Sequence, residues 1–230
     1  MAAGQRRHGS GPTPGASYVD RLVEADRAAL LRLGTLRRFP RNARLFHEGE
    51  RSTFVVVVRS GRLKMVTLGE GGGETVLGVR GPGTLVGELA AFDMGPRTAS
   101  AIALDAVTVR VIAADAFRRF VTAHPDAAVG LIRMLMGRLS EGDRRRSEFG
   151  ALDATVRVAR LIVDLAHDVG GATGGDRRIS LAQHELAGMA GTSRESVVRA
   201  LATLRAEGLV STARGAITVH DVDRLRRFVG

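Results

Sequence analysis

Apolar positions change their spacing along the chain, and each change marks a different kind of element. From Tyr18 to about Leu36, the positions Leu22, Leu30, Leu31 and Leu33 fit a short helical segment. Between Arg44 and Ile112 the pattern turns to short β-branched runs: Phe54–Val58, Leu63–Leu68, Thr75–Val79 and Val107–Ile112. Glycines punctuate them at Gly49, Gly61, Gly69 to Gly73, Gly81, Gly83, Gly87 and Gly95. Short strands with frequent turn signals predict a β-roll or barrel rather than a parallel sheet. After Pro125, Ala128, Ile132, Leu135, Leu139, Gly142, Arg146 and Phe149 recur in alternating steps of four and three. That is the seam of a two-stranded coiled coil, with a second copy of the chain as its simplest partner. A helix packed within its own chain is the other reading. Arg146 is the odd member of the seam, because two buried guanidinium groups are costly without counterions. Val156–Ala166 predicts a further helix, followed by a loop over Gly170–Asp176.

The C-terminal stretch carries the most specific pattern. Ser180 with Gln183, and Thr192 with Glu195, have the spacing of two capping boxes that open consecutive helices. Between them, Ala187, Gly191 and Val197 have the spacing of a helix-turn-helix: a small residue at the close approach, a tight turn, and a packing residue on the second helix. Leu186, Val198, Leu201 and Leu204 are expected to complete its core face. The start of the second helix, with Ser193, then presents Arg194, Glu195 and Arg199 outward. Arginine pairs bidentately with guanine in the major groove, and a glutamate accepts from the cytosine amine. Gly208 to Val219 follows as a hairpin wing, with Arg214 and Gly215 at its tip and Arg214 placed for a backbone phosphate. An ordinary helical hairpin with a solvated charged face is the plain alternative.

Composition narrows the chemistry. The chain has 230 residues and a formal charge of +10, and Lys64 is its lone lysine among 34 Lys and Arg. A cationic balance favours a polyanionic partner such as double-stranded DNA. Cysteine is absent, which excludes disulfide scaffolds, thiolate metal sites and cysteine nucleophiles. No GxxxxGK[ST] phosphate loop occurs, and His184 in the HEL triplet lacks the second histidine of a zinc hydrolase. The six histidines are scattered, so neither a metal site nor an enzyme is expected. The longest aliphatic or aromatic run, Phe54 to Val58, is far short of the ~20 residues of a membrane helix. The opening MAAGQRRHGSGPTPGAS has no apolar core of a signal peptide, so a cytoplasmic protein is expected.

The segment SRESVVRAL resembles the recognition helix of the cyclic-AMP receptor protein (Crp/Fnr) family of bacterial transcription regulators. LFHEGE, GRLKMV and LVGELAAFDMGPRTASAIA are similar to that family's β-roll and phosphate-binding cassette. The likeness covers nearly the whole chain after residue 20. GPRTAS and the Arg-, Ala- and Gly-rich composition resemble actinobacterial members in particular.

The implied fold is α+β: a disordered lead-in over 1–16, a cyclic-nucleotide-binding-like β-roll over 17–122, a dimerisation helix over 123–154, and a winged helix-turn-helix over 155–230. Physically, Gly87 permits close backbone approach, Glu88 can accept from a ribose hydroxyl, Arg97 with Thr98 can hold a phosphate, and Ala99 offers its amide. By resemblance, Glu88, Leu89, Arg97, Thr98 and Ala99 line the nucleotide pocket, with Arg138 near the phosphate. The family's adenine-contacting Thr–Ser pair falls on Gly142 and Asp143, which removes one side chain and leaves the other as an acceptor. Arg144 to Arg146 form a basic run that suits a different anion, such as a cyclic dinucleotide, or simply a solvated face.

The implied function is a homodimeric DNA-binding regulator gated by a cyclic nucleotide, with cyclic AMP first. Its operator is an inverted repeat of the TGTGA type, RNA polymerase is a further partner, and no cofactor is needed beyond the effector. Two alternatives remain: a degenerate pocket that needs no effector, and a nucleotide-binding scaffold acting through protein partners.

Overall fold

The structure, a computed structural model, describes residues 17–68, 74–93, 95–168 and 176–229. The expected lead-in over 1–16, the glycine-rich loop 69–73 and nearly all of the loop before Asp176 lie outside the described residues. After a single turn at Val19–Arg21, helix α1 spans Glu24–Arg32. It is shorter than the segment expected to reach Leu36. The chain turns extended at Leu33, and Leu36 belongs to strand β1, Thr35–Phe39, where it pairs with Arg110.

Strands β2 (Arg44–Phe46), β3 (Phe54–Ser60), β4 (Leu63–Leu68), β5 (Glu74–Arg80) and β6 (Leu85–Val86) precede helix α2 (Glu88–Asp93). Strands β7 (Ser100–Ala103) and β8 (Val107–Ala113) complete the β-rich part. They form two four-stranded antiparallel sheets, ordered β1-β8-β3-β6 and β2-β7-β4-β5. The roll interior gathers Phe46, Val56, Val58, Leu63, Val86, Ala101, Ala103, Val107 and Val109. Strand β3 is apolar on both faces for a reason: Val55 and Val57 point the other way, into a helical layer with Tyr18, Leu30 and Phe117.

That layer includes helix α3 (Ala114–Ala123) and the start of the long helix α4 (Pro125–Ala151). Helix α5 (Ala154–Asp168), strand β9 (Arg177–Ile179), helix α6 (Gln183–Ala190), helix α7 (Arg194–Ala206), strands β10 (Val210–Ala213) and β11 (Ala216–Val219), and helix α8 (Val222–Phe228) follow. Strands β10, β11 and β9 make a small antiparallel sheet in that order.

Helix α6 meets α7 through the predicted turn. Gly191 adopts φ +56°, and the Thr192 N–H donates to Ala187 O at 3.0 Å, which closes the end of α6. Both capping boxes are displaced from their expected places. Because Thr192 is used by the turn, Ser193 caps α7, its Oγ accepting from the Ser196 N–H at 3.1 Å. Helix α6 starts at Gln183, so the reciprocal contact comes from Glu185, whose Oε2 accepts from the Ala182 N–H at 2.7 Å. Val197, Ala200, Leu201 and Leu204 fill the inner face of α7. Val198, expected in the core, is 44% exposed, since it lies about 100° around the helix from Val197.

The two halves of the chain share one core. Val66, Val76, Val79, Ile102 and Leu104 of the β2-β7-β4-β5 region pack in one cluster with Val158, Ile162, Leu186 and Leu201. Around this junction, Lys64 Nζ pairs with Glu185 Oε1, and Glu74 lies 3.8 Å from the same amine. Arg62 binds Asp105 and donates to Ser180 Oγ at 3.3 Å and to Arg178 O at 3.3 Å. Ser180, expected to cap α6, serves this junction instead. Lys64→Met retains the stem and removes the charge, leaving a largely buried Glu185 carboxylate without its cation. A loss of about 3 kcal/mol in urea unfolding is expected, with the single transition broadening as the halves uncouple. Unchanged unfolding would mean that solvent already screens the pair.

Candidate ligand pocket and nucleic-acid interface

The pocket begins where β6 passes into α2. Gly87 takes φ +84°, and a Cβ there would stand 2.1 Å from Arg97 Nη1. Only glycine meets both conditions. Glu88, the first residue of α2, is 3% exposed. Its Oε1 accepts from Arg138 Nη1 at 2.6 Å, while Oε2 is buried with no hydrogen-bond partner among the described residues. Arg138 also donates to Leu85 O at 2.7 Å, so α4 is tied to the mouth of the roll.

Arg97 is likewise 3% exposed. Its guanidinium donates to Gly87 O at 3.0 Å and to Phe54 O at 2.6 Å, and it lies 4.1 Å above the Phe46 ring and 4.7 Å above the Phe54 ring. Burial pushes its pKa down, and Glu50 and Glu88 pull it back up; an arginine so placed stays charged. The residue expected to hold a phosphate is thus already fixed by two carbonyls and two aromatic faces. It stands in the cavity wall as a rigid, preformed cation.

Gly87, Glu88, Leu89, Arg97, Thr98, Ala99 and Arg138 all line one cavity, as the sequence pattern implied. Gly142 and Asp143 are not part of its lining, being further along α4. The cavity also includes Phe46, Met65, Leu77 and Arg80, which the sequence reading did not single out. Period-two alternation along β4 was the signal available for Met65; on β5 a bulge at Leu77 breaks the alternation, so no such signal joined Leu77 to Arg80, three positions on.

Helix α4 divides the expected seam. Ala127, Leu131 and Met134 are buried in the chain's own core, and Ala128 and Leu135 pack half-buried against it. Ile132 and Leu139 are 56% and 63% exposed, and Val129 and Met136 are exposed beside them. The side chains of Arg146 and Phe149, the last seam positions, lie outside the described residues. Arg144 pairs with Asp164 of α5 at 2.7 Å.

On α7, Arg194, Glu195 and Arg199 are exposed along one face that begins at the Ser193 cap. Arg199 donates to Ser196 Oγ at 2.9 Å. A hydrogen bond from its own backbone N–H, then one from Ser193, then the flanking Arg194 and Arg199, hold the Glu195 carboxyl below the usual range. It is an ionised acceptor, as a partner for an amine requires. Ala213 pairs with Ala216, so Arg214 and Gly215 form the two-residue tip of the wing. Gln183, His184, Arg194, Thr212 and Arg214 line one cleft between α6, α7 and this hairpin.

Comparison with known proteins decides the family. A pattern described as Cyclic nucleotide-binding domain matches residues 36–124, and one described as Crp-like helix-turn-helix domain matches residues 156–228. A CRP-like cAMP-activated global transcriptional regulator of Mycobacterium tuberculosis is 33% identical over 191 residues, covering 82% of this chain and 85% of that protein. The chain belongs to the Crp/Fnr family. This Crp-like chain is a transcription regulator with a cyclic nucleotide-binding and a helix-turn-helix domain, not an enzyme. The cyclic AMP receptor protein of Thermus thermophilus is 31% identical over 192 residues, covering 84% of this chain and 87% of that protein. In fold, the structure of FixK2 from Bradyrhizobium japonicum matches with a TM-score of 0.73 at 20% identity, over 86% of this chain and 98% of that one. Among the described residues, no helix is long and apolar enough to cross a membrane.

The Gly87 geometry yields a direct test. Gly87→Ala combines an unfavourable φ with the collision on Arg97, and should lower the free energy of unfolding by about 1–3 kcal/mol. Gly137→Ala, in open space on α4, should raise it by about 0.5–1 kcal/mol. Chemical denaturation of the pair checks both signs.

Proposed function

We propose that the chain is a homodimeric, sequence-specific regulator of transcription whose DNA binding is gated by a cyclic nucleotide in the Glu88–Arg97–Arg138 pocket. The observation that carries this reading is the buried, partnerless Glu88 Oε2 between arginines of one cavity. A buried acceptor without a donor is costly, and a ribose hydroxyl on a ligand whose phosphate faces the arginines supplies the missing donor. Cyclic AMP, which appears in the names of the mycobacterial and Thermus relatives, is the first candidate by relationship. Titration calorimetry with cyclic AMP, cyclic GMP and cyclic di-GMP, followed by DNA mobility shift with and without the bound nucleotide, tests the reading. DNA binding indifferent to every nucleotide would favour the effector-independent alternative.

The division into a roll over 17–122, a dimerisation helix over 123–154 and a DNA-binding domain over 155–230 belongs to this proposal, as do a cytoplasmic location and contact with RNA polymerase. Dimerisation is assigned to α4. Ala128, Ile132, Leu135, Leu139, Gly142 and Phe149 form the seam, and among its described side chains Ile132 and Leu139 are the large exposed hydrophobics. Burying each against a second copy contributes ~1.5–3 kcal/mol. A parallel pair would set the two α7 helices about one DNA turn apart, ~34 Å. The double variant Ile132→Asp/Leu139→Asp leaves the chain's own core intact and should sediment as a monomer without affinity for an inverted repeat. A dimer that survives both substitutions would move the interface elsewhere.

Base reading is assigned to Arg194, Glu195 and Arg199, with Ser193 positioning the helix end and Arg214 on a phosphate. Arg194→Ala should cost about 1–3 kcal/mol on the specific site and relax one G·C preference, while random DNA binds nearly as before. Arg214→Ala should weaken all sequences alike and lower the salt slope by about one unit. One salt series on specific and random duplexes separates the two roles. Equal losses on both duplexes for Arg194→Ala would reduce α7 to a backbone contact.

A further inference from the structure

Arg80 closes strand β5 and lines the pocket from the sheet side, next to Met65 and Leu77. Its guanidinium lies directly over Gly78. A Cβ on Gly78 would stand 2.7 Å from Arg80 Nη1, 3.3 Å from Cζ and 3.4 Å from Nη2. Gly78 has no left-handed φ that would call for glycine, and a glycine inside a strand weakens it. The missing side chain is instead the space that the guanidinium occupies. Arg80 Nη1 donates to Val79 O at 2.9 Å, which holds the group against the strand. Gly78 and Arg80 therefore act as a pair that places a cation in the β4–β5 wall of the pocket. The cassette, which contributes Gly87, Glu88 and Arg97, forms the other wall.

From this placement we infer that Arg80 selects the base of the effector, and that it selects guanine over adenine. The inference rests on the nucleotide reading given above. With the cassette holding phosphate and ribose, the base falls against the sheet wall, where Met65 and Leu77 offer apolar surface to its face. A guanidinium carries five N–H donors and no acceptor. Its parallel fork matches guanine, which presents O6 and N7 as adjacent acceptors. On the same edge adenine places its amine beside N7, so donor meets donor. The ligand class is a guanine-bearing cyclic nucleotide, which departs from the effector in the relatives' names. Cyclic GMP and cyclic di-GMP share the required edge.

Titration calorimetry on the full-length protein distinguishes these ligands. Wild type should bind cyclic GMP or cyclic di-GMP at least tenfold more tightly than cyclic AMP, and the tighter of the two identifies the source. Arg80→Leu should lose tenfold or more for the guanine ligand with cyclic AMP changed less than threefold. Arg80→Lys, which keeps the charge and loses the fork, should lose the guanine preference as well, and so should Gly78→Ser, whose side chain displaces the guanidinium. Circular dichroism confirms that each variant is folded, and the three together keep the test open if one is not. Wild type binding cyclic AMP as tightly as the guanine nucleotides overturns the inference while leaving the nucleotide reading intact. So does an equal loss of all ligands in Arg80→Leu, which would make Arg80 a phosphate contact. Failure of wild type to bind any nucleotide overturns both.

Discussion

Strands β4 and β5 are packed on both faces, and this constraint couples every other part of the molecule. Alternate side chains point opposite ways along a strand. Leu63 and Met65 therefore face the roll and its pocket, while Lys64 and Val66 face α6 and the core of the DNA-binding half. On β5 a bulge at Leu77, where Met65 pairs with Gly78 and Val66 with Val76, shifts the alternation, so Leu77 and Arg80 reach the pocket while Val76 and Val79 join the other cluster. Under the proposed function, a ligand that shifts this sheet would act at the same time on α6, the helix preceding α7. The coupling needs no long relay, because the two sites are opposite sides of one pair of strands.

The charges around this sheet are placed by the same economy. Three arginines, Arg80, Arg97 and Arg138, and one buried carboxylate, Glu88, surround the cavity. Each cation has a different anchor: a backbone carbonyl of its own strand, two carbonyls under aromatic rings, and the Glu88 carboxylate with Leu85 O. Preformed dipoles of this kind cost no reorganisation when an anion arrives. On the far side of the sheet, Lys64 with Glu185, and Arg62 with Asp105 and Ser180, close the junction. The single lysine of the chain is spent inside this junction, so the exposed lysine or arginine cations of α7 and the wing are all arginines.

Much of this was legible in the residue pattern. The four β-branched runs became β3, β4, β5 and β8, the helix after Pro125 became α4, and the Ala187–Gly191–Val197 spacing became the turn between α6 and α7. Short elements were less legible. Strands β2, β6 and β7 are two to four residues long, and no period can establish itself over so few positions. The cap of α7 slipped by one place because the backbone of Thr192 was taken by the turn, and that of α6 by two, Ser180 being bonded to Arg62 at the junction. Val198 was misplaced because two adjacent valines on a helix cannot both face the core.

The sequence by itself determined the order of the elements, the helix-turn-helix and the chemistry of the pocket, since strand and helix periods, glycine turns and side-chain ionisation are local properties. Seven of the nine expected pocket residues meet in one cavity: six lie in the single stretch from Gly87 to Ala99, with Glu88 opening α2, and the fold brings in Arg138 from α4. The tertiary structure alone decided what those groups face. It turned Arg97 onto carbonyls and aromatic rings, left Glu88 Oε2 without a donor, brought Arg80 over Gly78 into the sheet wall, and paired Lys64 with Glu185 across 121 residues of chain. Such contacts depend on which strands lie side by side, and strand pairing is a long-range outcome that no local spacing encodes.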